Sequence, residues 1–102
     1  MTIDFAVDRL YEAGWNPSLQ MEIEELPAGR KVPSLSAVRR EFAQSGLELT
    51  IKQNLIFGCY RAAWSCSGQV MGTVVGDSEM EAAVYALAQL RASRAGQGLA
   101  AV

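Results

Sequence analysis

An α+β domain is the fold class this chain predicts: a three-stranded antiparallel sheet packed on two helices, with an additional N-terminal helix. Three observations carry that reading. Apolar spacing switches from the helical period to a period of two at Leu47, and switches back at Ser78. The same glycine-plus-apolar stop signal closes both early helices, at Gly14-Trp15 and Gly46-Leu47. With 102 residues, half of them apolar, the chain suffices for one such domain over 1–95 and for no second.

The first helix is built on Ile3, Ala6, Val7, Leu10 and Tyr11, with Thr2 placed as N-cap and Asp4 favourable in the first turn. Gly14 ends it and Trp15 folds back on Leu10; Asn16, Pro17 and Ser18 then turn the chain. Leu19, Met21 and Ile23 alternate with Gln20, Glu22 and Glu24 as a short edge strand with one charged side. Pro27, Gly29 and Pro33 bracket Arg30, Lys31 and Val32 in a loop. Ser34 or Ser36 caps a second helix whose buried stripe is Leu35, Val38 and Phe42, leaving Arg39, Arg40, Glu41 and Gln44 in water.

Leu47, Leu49 and Ile51 then define the inner face of a first strand, and Tyr60, Ala62 and Trp64 that of a second. Ser67-Gly68 makes a short turn into a third, where Val70, Gly72 and Val74 alternate with Met71, Thr73 and Val75. Gly76 ends the meander. Ser78 and Glu81 form a capping box for the last helix, in which Met80, Ala83, Val84, Leu87 and Leu90 face the sheet and Ala82, Ala86 and Ala88 permit close approach. Loss of the Ser78 cap is expected to cost more than loss of Glu81, which holds one reciprocal bond. The composition after Arg94 predicts a disordered tail over 96–102.

Charge and composition remove several function classes. The net charge of −2 gives no global attraction to phosphate or to an anionic membrane, although it is unevenly spread: residues 1–29 carry six acids and one base, and residues 30–61 six bases and two acids. No apolar run reaches the ~20 residues a bilayer needs, and the acidic N-terminus lacks a signal peptide's positive start, so the expected location is the cytoplasm. The absence of histidine removes the commonest zinc ligand and every histidine-dependent triad. Cys59 and Cys66 fall on one strand about 20 Å apart, which rules out a disulfide between them and leaves two small buried thiols. No phosphate-binding glycine motif occurs. Glu24/Glu25 and Glu79/Glu81 are carboxylate pairs, but the first sits in a charged surface run and the second in a helix cap.

From Ser36 to Ala92 the order helix, three strands, helix resembles the double-stranded RNA-binding domain. Gly76-Asp77-Ser78 opening an alanine-rich helix, with Ala82 following, looks like that family's glycine-x-serine start. The resemblance covers a little over half of the chain, implies a core over 36–92 and makes 1–35 an extension. It does not carry the function with it. The family's lysine cluster falls here on Glu79, Met80 and Ala83, and its histidine-bearing loop on Asn54, Leu55, Ile56 and Phe57. Carboxylates facing phosphate repel, and counterion release has no cations to work through.

Two clusters remain. Arg30, Lys31, Arg39 and Arg40 concentrate positive charge, read first as solvated faces with local partners such as Glu41 and otherwise as a nucleic-acid contact. Leu55, Ile56 and Phe57 either continue the strand, with Leu55 and Phe57 in the inward phase of Ile51 and Ile56 exposed, which the alternation favours, or form an exposed hairpin tip of the kind that marks a protein interface. The expectation is a cytoplasmic protein-interaction or assembly module without catalytic activity, cofactor or metal. A partner protein or a second copy binds it, duplex RNA and membranes do not, and the alternative is an RNA-associated factor using the basic residues.

Overall fold

The computed structural model describes residues 3–16, 22–27 and 29–100, with side chains through Ser93. Its architecture is α+β: a three-stranded antiparallel sheet, three helices and a small two-stranded hairpin. Thr2 and residues 17–21, on which a cap, a turn and part of a strand are expected, lie outside the described residues.

Helix α1 (Ile3–Glu12) buries Ala6, Val7 and Leu10. Its end is the predicted one. Gly14, at φ 97°, donates to the Tyr11 carbonyl at 3.0 Å and Trp15 to the Leu10 carbonyl at 3.2 Å, the paired bonds of a Schellman stop. Trp15 is 3% exposed as a result. Helix α2 (Leu35–Gln44) repeats the device: Gly46 donates to Ala43 and Leu47 to Phe42, at 3.0 and 2.9 Å. Ser34 is the N-cap, its Oγ accepting from the Ala37 amide at 3.2 Å.

Between these helices the loop expected at residues 30–32 is in part a strand. β1 (Ile23–Glu25) pairs antiparallel with β2 (Lys31–Pro33), and Val32 and Pro33 are buried. Proline is tolerated because, among the described residues, β2 pairs with β1 only and Pro33 stands at its last position, where no ladder donor is needed.

β3 (Glu48–Asn54), β4 (Cys59–Cys66) and β5 (Gln69–Gly76) form the meander in that order. Leu49, Ala62 and Trp64 are buried on the inner face. Trp64 opposes Gly72 but Ser65 opposes Val70, so Met71 is an extra residue on β5 and Val70 passes to the outer face, 60% exposed, instead of joining Gly72 and Val74.

Helix α3 (Glu79–Ala100) is the centre of the molecule. The sheet packs on one side of it and α1 on another, so burial runs almost round its circumference, from Glu81 through Val84 and from Ala86 through Ala88. Small side chains are what permit two neighbours: Ala82, Ala83, Ala86 and Ala88 are each at most 2% exposed. The helix does not stop where the composition changes. Residues 96–100, expected in a disordered tail, continue it, since alanine, glutamine and leucine favour the helix enough to carry two glycines at about 1 kcal/mol each.

At its start, the Glu81 amide donates to Ser78 Oγ at 3.0 Å, as the capping box requires. The Glu81 carboxylate accepts from the Asp77 amide, one residue before the usual partner. Replacing Ser78 by alanine is expected to lower stability by about 1 kcal/mol in urea denaturation. No change would show that the first turn is held by something else.

Candidate interaction surface

The segment Leu55–Gly58 is a hairpin tip, not a continuation of the strand. Asn54 makes it so. Its side-chain Oδ1 accepts from the Ile56 amide at 3.0 Å and the Phe57 amide at 3.2 Å, and its carbonyl accepts from Gly58 at 2.8 Å. Gly58, at φ 67°, supplies the left-handed residue that returns the chain to β4, where Cys59 pairs with Asn54. The inward phase of Leu49 and Ile51 does not survive here because the helical layer has already ended: Gln53, next in that phase, is exposed. Leu55, Ile56 and Phe57 are consequently 83%, 87% and 78% exposed. Three large apolar side chains thus project together from a turn held by three hydrogen bonds.

The four basic residues do not form a comparable surface. Arg30 lies against α1, 2.8 Å from Asp8 and 3.7 Å from Asp4, with its guanidinium 5.5 Å above the Tyr11 ring. Tyr11 in turn donates to the Lys31 carbonyl at 2.8 Å. Arg39 donates to the Leu49 carbonyl at 3.1 Å, and Arg40 pairs with Glu22 at 3.0 Å. These arginines stitch the elements of this chain together, and Lys31 stands opposite Glu25 in the β1–β2 register. Glu41, expected as their local partner, instead binds Arg91 of α3 at 2.8 Å in a largely buried pair.

The positions that the RNA-binding resemblance singles out are also distributed by burial. Glu79 is exposed, Met80 half-buried and Ala83 fully buried, so the last of them faces the core and no ligand. Glu24 and Glu25 are exposed on β1, whereas Glu81 is 2% exposed. Among the described residues no three acids, cysteines or histidines gather as a metal site. Cys59 and Cys66 are free at opposite ends of β4, the first half-buried and the second exposed, a correction to the two buried thiols expected: Cys66 ends its strand beside the Ser67-Gly68 turn, where no described layer covers it.

Pairing geometry adds features that composition does not display. Lys52 and Arg61 face each other across β3 and β4, and Arg61 Nε donates to Thr73 Oγ1 of β5 at 3.1 Å. On the other side, an open cleft of about 670 Å³ runs along β5, lined by Trp64, Met71, Val74, Tyr85 and Leu90 among others. Its signal in the sequence is faint, since only the bulge at Met71 aims that side chain towards it.

No family model, no curated protein and no solved structure matches this chain.

Proposed function

We propose that this domain is a non-catalytic protein-interaction or assembly module of the cytoplasm that docks through the Leu55-Ile56-Phe57 tip. The observation that carries it is the exposure of three adjacent large apolar side chains on a turn ordered by Asn54. An apolar tip in water is unfavourable for a free monomer, at roughly 1.5–3 kcal/mol of transfer free energy per side chain, and a partner that covers it recovers that energy. Ordering the turn in advance lowers the entropy lost on docking.

The order α2, β3, β4, β5, α3 supports reading 36–92 as a layout like the double-stranded RNA-binding domain, with α1 and the β1–β2 hairpin as an N-terminal extension. The chemistry at the start of α3 argues against that family's ligand: Asp77 and Glu79 are exposed there, and Arg30, Arg39 and Arg40 are engaged within the chain.

Two measurements test the reading. With the full chain immobilised in native-host extract, the wild type is expected to retain a stoichiometric partner that Ile56→Asp loses, while the melting curve of the variant stays within about 0.5 kcal/mol of wild type. Equal retention by both proteins, or unfolding of the variant, removes the tip from the binding surface. In an electrophoretic shift at physiological salt, an RNA duplex of about 16 base pairs is expected to remain free. Micromolar binding of that duplex would reinstate the RNA reading.

A further inference from the structure

We infer that β5 is a self-association edge: a second copy of this chain adds its own β5 antiparallel to it and joins the two sheets into one of six strands. β5 is hydrogen-bonded to β4 on one side and, among the described residues, to no strand on the other. Its eight residues, Gln69–Gly76, include no charge and no proline. The opposite edge, β3, carries Glu48 and Lys52, both exposed, in the manner of a strand guarded against pairing. Val70, Met71 and Val75 add exposed apolar side chains along β5, at 60%, 60% and 48%. The edge without guarding charge or proline is therefore also the edge with more apolar side chain in water, and its bulge at Met71 leaves regular pairing to the residues on either side.

A second copy is an occupant that meets no charge penalty on this edge. Two-fold symmetry sets β5 against itself, and with no charged residue on either strand no register brings like charges together. An eight-residue strand is about 26 Å long, and an edge contact about 15 Å across covers roughly 400 Å² per copy, near half of the ~800 Å² of a stable interface. The cleft along the same edge, with Met71, Val74, Tyr85 and Leu90 in its lining, gives side chains of the second copy a place to bury the remainder. This surface is separate from the Leu55–Phe57 tip and stands or falls independently of it.

Sedimentation velocity of the full chain from low to high micromolar concentration is expected to show a monomer–dimer equilibrium. Val70→Lys combined with Val75→Lys, both at outward positions, is expected to weaken it about tenfold or more. Hydrogen exchange on the wild type supplies a test that needs no variant: amides of residues 69–76 gain protection as concentration rises. A chain that stays monomeric throughout overturns the inference and leaves the tip reading untouched. A dimer lost on Ile56→Asp but kept in the double lysine variant overturns the inference and assigns the association to the tip, and dimerisation without added protection in β5 overturns it as well.

Discussion

Replacing Gly72 by alanine is expected to destabilise the domain by about 3 kcal/mol, read as a shift of the urea midpoint at unchanged slope. A Cβ at this position would lie 2.2 Å from Trp64 Cζ2 and 2.5 Å from Cε2. Gly72 is the cross-strand partner of Trp64, and the indole lies flat over the space its missing side chain leaves. The ring can shift only towards the cleft that it helps to line. It is 8% exposed and packs against Phe42 of α2, centroid to centroid 5.6 Å, and Phe42 is itself fully buried. Accommodation therefore requires either an off-rotamer indole or a displacement of α2 from the sheet, and both belong to the costly class of overpacking. If Gly72→Ala proves neutral, the indole occupies another position and the core as described is wrong at its centre.

That contact was not legible in the sequence, and the reason generalises. Local signals are legible wherever a short segment dictates its own conformation: the Gly14-Trp15 and Gly46-Leu47 stops, the Ser34 and Ser78 caps and the alternation of β3 and β4 all rest on residues within six positions of one another. Features set by pairing are not. The bulge at Met71 reverses the face of Val70 and is visible only against the register of β4. β2 exists because β1 lies beside it, whereas its own residues, ending in Pro33, read as loop. The candidate tip was half legible. Asn54 and Gly58 bracket it plainly, but the alternation through Ile51 favoured continuation, because periodicity says nothing about where the covering helical layer ends. The basic residues show the same limit in reverse: they are close in sequence, yet Arg30 and Arg40 are drawn to Asp8 and Glu22, on different elements.

Glu81→Ala is expected to cost about 2 kcal/mol, more than the ~1 kcal/mol of Ser78→Ala and the reverse of the order that the capping box alone suggests. The difference lies in burial. Glu81 is 2% exposed, and its Oε1 accepts the Asp77 amide, tying the end of the turn to the first turn of α3. The chain before it is pressed close: a Cβ on Gly76 would come within 2.7 Å of the Ala82 amide nitrogen and 2.9 Å of Glu81 Oε1. Truncation to alanine thus empties a site wedged between β5 and α3 and withdraws the acceptor of the Asp77 amide, where loss of the Ser78 hydroxyl removes one bond at an exposed position. Glu81→Gln separates the two contributions. It keeps the volume and one carbonyl acceptor, so it is expected to fall nearer to wild type than Glu81→Ala in the same urea series. A glutamine variant as unstable as the alanine one would assign the effect to the charge of the carboxylate at the positive end of α3, and a Glu81→Ala variant no worse than Ser78→Ala would show that the side chain is not the wedge between strand and helix.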